Sequence, residues 1–87
     1  MSFRKMKGVK VPYNRQGLIY FTCRDYKRQP GWMQEKIQRL CESAGGEYAP
    51  ALFELVTRDA SVTKIALKYH CDESAIYRVR RKFYESW

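Results

Sequence analysis

Residues 61–87 read SVTKIALKYHCDESAIYRVRRKFYESW, and this stretch decides the fold. Ser61 stands directly before Val62, where a helix N-cap hydroxyl accepts a backbone N–H. Ile65, Ala66 and Tyr69 follow at three- and four-residue spacing, which predicts a short helix from Val62 to about Tyr69 or His70. Asp72 is a second cap candidate. Behind it Ile76, Val79 and Phe83 fall at i, i+3 and i+7, predicting a longer helix that continues to the terminus. The inner faces of the pair share Ile65, Tyr69, Cys71, Ile76 and Val79, and Ala66 is the small residue where two helices can cross closely. This is the pattern of a helix-turn-helix at about residues 61–86. Its turn commonly carries glycine where this chain has His70, because that position often takes a left-handed backbone. Histidine is among the non-glycine types found there more often than average.

Working outward toward the N-terminus, three more helices are expected. The first runs from about Gln16 to Arg28, with Leu18, Ile19, Thr22, Cys23 and Tyr26 on one face. Pro30-Gly31 breaks the chain. A second runs from Trp32 to Ala44 with Met33, Ile37, Leu40 and Cys41 inward, and Gly45-Gly46 ends it. A third starts near Pro50, whose missing N–H costs nothing in a first turn, and stops near Asp59. Leu52, Leu55 and Val56 are its apolar stripe. No stretch alternates apolar and polar residues between turn dipeptides, so strands are not expected. The fold class is therefore all-α: about five helices, a three-helix support plus a C-terminal helix-turn-helix. Phe21, Tyr26, Tyr48 and Phe53 read as core, as do Cys23 and Cys41, and Trp32 and Trp87 as core or lid packing.

An 87-residue chain allows one domain. Its 45% hydrophobic and 15% aromatic content supplies a core, which excludes a disordered chain. No apolar run spans a membrane, and the start MSFRKMKGVKVPYNRQ lacks the apolar segment of a secretory signal. Three cysteines without CxxC suit a reducing cytoplasm and not a disulfide framework. The net charge of +8 points to a polyanionic partner. That charge is uneven. Residues 1–15 hold five basic and no acidic side chains, 16–60 balance six against six, and 61–87 hold six against three. With Gly8 and Pro12 in it, the segment 1–15 reads as a flexible basic arm, ahead of a single helical domain over 16–87.

The stretch VTKIALKYHCDESAIYRVRRKFY (residues 62–84) resembles the helix-turn-helix of resolvase-like and sigma-factor region 4-like regulators. The fuller run from QGLIYFTCRDY (16–26) through AGGEYAPALF (44–53) to RRKFYESW (80–87) resembles small transcriptional regulators of phages and prophages of Gram-positive bacteria, the late-operon activator type. The resemblance implies sequence-specific binding of double-stranded DNA, control of phage or prophage genes, and no cofactor. In such a motif the second helix enters the major groove. Opposite Ile76, Val79 and Phe83, the candidate base contacts are Glu73, Ser74, Tyr77, Arg78 and Arg81, with Arg78 able to donate twice to guanine. Candidate phosphate contacts are Thr63, Lys64, Arg80 and Lys82, together with Arg4, Lys5, Lys7, Lys10 and Arg15 of the arm. Two other readings stand beside this one. One is a region 4-like interaction module that contacts RNA polymerase or another regulator. The other is an RNA-binding or recombination accessory factor. A homodimer reading two half-sites fits the motif, although no heptad run supports a coiled coil. No metal site is expected, since His70, Cys71 and the other cysteines lack zinc-finger spacing. An enzyme is not expected either: there is one histidine, no phosphate-binding glycine loop and no nucleophile elbow.

Overall fold

A computed structural model describes residues 4–58 and 60–87. Five α-helices carry them: α1 (Tyr13–Arg24), α2 (Gly31–Gly45), α3 (Ala49–Thr57), α4 (Val62–Lys68) and α5 (Glu73–Ser86). Short 3₁₀ turns at Tyr26–Arg28 and Gly46–Tyr48 join the first three, and no strand occurs among the described residues. The all-α expectation holds. The expected first helix splits into α1 and the 3₁₀ turn, and α1 begins earlier, immediately after Pro12. The expected stop near Asp59 lies outside the described residues.

Local chemistry explains the helix ends. The Ser61 hydroxyl accepts from the Lys64 N–H at 3.1 Å, as a cap should. Asp72 precedes α5 in extended backbone, but its side chain makes no cap bond. Gly46 closes α2 at φ 54°. The end of α4 is a Schellman turn: Cys71 N–H donates to Ala66 O at 3.0 Å and His70 N–H to Leu67 O at 3.4 Å. Its left-handed residue is His70, at φ 54°. The histidine thus sits in the backbone state for which glycine is usual.

Packing divides into two clusters that share α3 and α5. Val62, Ile65 and Ala66 of α4 meet Ala51 and Leu55 of α3 and Ile76 of α5. Further along the same helices, Leu52, Val56, Val79, Phe83 and Tyr84 join Ile19, Cys23, Ile37 and Cys41. The first half of α5 is therefore anchored on α3 and α4, and its second half on α1 and α2. Burial pushes both Cys23 and Cys41 up to about 12; the Cys41 thiol adds to the rise at Cys23, and the Glu42 carboxylate to that at Cys41. They are core residues, as expected.

The N-terminal segment departs from expectation. Val9 and Val11 are buried in the larger cluster, so residues 6–11 form a strap over the helices and not a free arm. The alternation Val9-Lys10-Val11 is the reason: in extended chain the two valines share a face and Lys10 takes the other. A glutamine locks the strap. Gln16, with no exposed surface, accepts from Met6 N–H through Oε1 at 2.8 Å and donates from Nε2 to Val11 O at 2.8 Å. Lys10 N–H adds a bond to Glu85 Oε2 at 2.9 Å. Gly8 bends the strap at φ 79°. Tyr13 to Arg15 belong to α1, and residues 1–3 of the expected arm lie outside the described residues.

Three apolar residues expected inside are exposed. Leu18 and Phe21 face outward from α1, and Trp32 is 66% exposed at the start of α2. In α1 the inner positions go to Ile19 and Cys23, with Gln16 one turn earlier, and that registration turns Leu18 and Phe21 away. Tyr26, Tyr48 and Phe53 pack on the core edge, and Trp87 lies against Phe83 with its ring under Lys36 Nζ at 4.4 Å.

Candidate nucleic-acid interface

The helical repeat of α5 sorts its residues. Ala75, Ile76, Val79, Phe83 and Tyr84 are buried, while Glu73, Ser74, Tyr77, Arg78, Arg81 and Lys82 are exposed. All five residues predicted to meet bases therefore lie on one solvent-facing side of a helix whose other side is fixed in both clusters. Thr63 and Lys64 are exposed at the start of α4. The Thr63 hydroxyl donates to Glu73 Oε1 at 3.3 Å, tying the starts of α4 and α5 together. Glu73 is thus partly committed to a structural bond.

Arg80 differs from the expectation of a solvent-facing phosphate contact. It is half-buried, and its Nε lies out of solvent with no hydrogen-bond partner among the described residues. Burial holds its guanidinium below the usual arginine range, opposed by Tyr84 and Tyr77. The guanidinium carbon stands 5.1 Å from the Tyr77 ring centroid. The physical reason is registration: position 80 lies four residues after buried Ile76 and four before buried Tyr84, so it falls on the flank of the inner face.

The strap brings a further cation to this helix. Lys7 lines a cleft of about 420 Å³ together with Ser74, Tyr77, Arg78, Arg80 and Arg81. Gly8 and Val9 complete its wall. No acidic side chain is part of that lining among the described residues. Arg4, Lys5 and Lys10 are exposed on the same segment, with Lys10 held beside Glu85 near the end of α5. Arg15 is exposed on α1 and is not among the cleft residues. Gly8 and Val9 were missed by sequence reasoning, as was Gln16, which holds the strap. The alternating Val9-Lys10-Val11 was the signal for them, too short to count as a strand.

The arrangement presents a row of hydroxyl, phenol and guanidinium donors on a rigid helix, with further cations beside it. Such a surface is suited to hydrogen bonding with base edges and pairing with phosphates. Elsewhere, Lys68 Nζ and the Tyr69 hydroxyl both reach Glu54 Oε1, at 2.7 and 3.1 Å, an ion-paired brace between α3 and α4. No described helix is long and apolar enough to cross a membrane. Neither a protein-family model, nor a curated protein, nor a solved structure matches the chain.

Proposed function

We propose that this chain is a sequence-specific, double-stranded-DNA-binding transcriptional regulator that works in the cytoplasm. Its α4, turn and α5 serve as a helix-turn-helix, with α5 in the major groove. One observation carries the reading: Ser74, Tyr77, Arg78 and Arg81 share the exposed side of a helix that is buried from behind by Ile76, Val79 and Phe83. A groove-reading helix needs that combination of free donors and fixed orientation. Phage or prophage genes are the proposed targets, on the strength of the resemblance in residues 62–84 and the longer run around it.

In this reading Arg78, one turn into α5, meets a base, whereas Lys82, one turn further on, meets backbone phosphate. The test is selection of bound sequences from a random duplex pool, followed by binding of variants to the selected site and its single-base changes. Arg78→Ala is expected to cost about 1–3 kcal/mol on the best site and relax the preference at one base pair. Lys82→Ala is expected to weaken all sequences alike and reduce the salt slope by about 0.9. No enrichment in the selection, together with no duplex binding at low salt, rejects the proposal.

A further inference from the structure

The cleft between the strap and α5 has features that a merely solvated basic face lacks. Lys7, Arg78, Arg80 and Arg81 bring four cations to one concavity from two separate segments. The two carboxylates of α5 are engaged away from it, Glu73 by the Thr63 hydroxyl and Glu85 by the Lys10 N–H. Arg80 is half-buried with an Nε–H that has no acceptor among the described residues. A buried donor without an acceptor is costly, and a guanidinium is shaped to give two parallel bonds to an oxyanion. The strap is ordered before any ligand arrives, because Gln16 clasps it at Met6 and Val11. Lys7 is therefore held beside α5 in advance, which lowers the entropy lost on binding.

We infer that this cleft is a phosphate site, taking one tetrahedral oxyanion between Lys7 of the strap and Tyr77–Arg81 of α5. The oxyanion is either a backbone phosphate of a nucleic acid or a free phosphate. The backbone source rests on the DNA-binding reading above; the chemistry of the cleft does not. Lys7 and Arg81 supply charge from opposite walls, Arg80 supplies the planar donor pair, and the Tyr77 ring backs that guanidinium at 5.1 Å. At about 420 Å³ the cleft admits a phosphate together with an attached sugar. An anion bound there bridges strap and helix and tightens the strap onto the fold.

The test is an NMR titration of the full chain labelled with ¹⁵N, following the Gly8 amide, the Arg78 amide and the Arg80 side-chain Nε–H. Inorganic phosphate, sodium chloride at matched ionic strength, and a random-sequence duplex are added in separate arms. Saturable shifts at all three probes with phosphate, absent with chloride, are expected. Arg80→Lys keeps the charge and loses the fork, and should weaken phosphate binding about tenfold. Lys7→Ala, an exposed change that leaves the fold intact, should weaken it several-fold. Phosphate binding without duplex binding supports the site, makes its ligand a free phosphate and defeats the DNA reading. Shifts with the duplex alone, reduced in Lys7→Ala, support the site with a backbone source. Duplex binding that leaves Gly8 and Arg80 unmoved, with phosphate inert, overturns the site while sparing the DNA reading. Silence in both arms, or equal shifts with chloride, also overturns it.

Discussion

Replacing Gln16 by leucine keeps the side-chain volume and removes both bonds that clasp the strap. Met6 N–H and Val11 O each lose a partner now held at 2.8 Å. At about 0.5–1.5 kcal/mol of net stability for each bond, the loss is about 1–3 kcal/mol. It should not grow much beyond that. Ordering the strap backbone and burying Val9 and Val11 oppose one another at similar size, so the polar bonds decide whether the strap stays down. Once they go, the strap lifts, both groups meet water, and the helices remain. In a domain this small a loss of about 2 kcal/mol lowers the melting temperature by roughly 8–16 °C. Hydrogen exchange locates the damage. The Lys10 amide, bonded to Glu85, should lose protection along with Met6, while Ile65, Val79 and other helical amides keep theirs relative to the global stability. A leucine variant that melts within a degree or two of the parent, with Met6 and Lys10 still protected, would show that the valines alone hold the strap and that the reasoning is wrong.

Other expectations follow from the same packing. Ile76→Ala, at the joint of α3, α4 and α5, should cost roughly 2–5 kcal/mol in thermal melts, whereas Leu67→Ala, at a site 72% exposed, should change little; equal effects would refute the two-cluster packing. The Lys68 and Tyr69 bonds hold the Glu54 carboxyl below its ordinary range, with the Lys68 bond the largest cause. A depressed carboxyl stabilises the fold above its unfolded-state pKa and loses that contribution as pH falls through the folded value. The melting-temperature gap between parent and Glu54→Gln should therefore be widest near neutrality and close on acidification, and a gap independent of pH would count against the brace. A thiol reagent at pH 8 should modify Cys71 quickly and leave Cys23 and Cys41 untouched until unfolding, because burial sets both near 12; three equally fast thiols would contradict the core assignment.

The parts of the fold legible in the sequence were those whose causes are local. A serine before Val62, a turn at His70 and the spacing of Ile76, Val79 and Phe83 each report on a few neighbouring residues, and the structure has α4, the left-handed turn and α5 where those signals put them. The exposed side of α5 was legible for the same reason. Gln16 was not, because hydropathy counts a glutamine as surface. It can be buried here only because Met6 N–H and Val11 O arrive from another segment to satisfy it. Leu18 and Phe21 were misplaced by the same blindness. With apolar side chains all round α1, only the partners of Ile19 and Cys23 decide which face goes in.

Arg80 and the strap show where the two kinds of information meet. The position of Arg80, four residues from both Ile76 and Tyr84, was available from the helical repeat and argued for a flank site. Its charge argues for solvent, and the half-buried position it takes follows the helical repeat instead. The strap differs from expectation in the same direction: five cations in 1–15 argue for a free arm, while two valines at alternate positions hold the segment down. Yet the charges keep their exposure because the valines are anchored: Lys10 stands between buried Val9 and Val11, and Lys7 lies in the turn with Gly8 just before them. A tethered arm holds Lys7 beside α5 without first having to be ordered, and Gln16, itself uncharged, becomes the residue that holds the basic face together. Removing Gln16 should then weaken anion binding as well as stability, and Lys7→Ala should weaken anion binding alone.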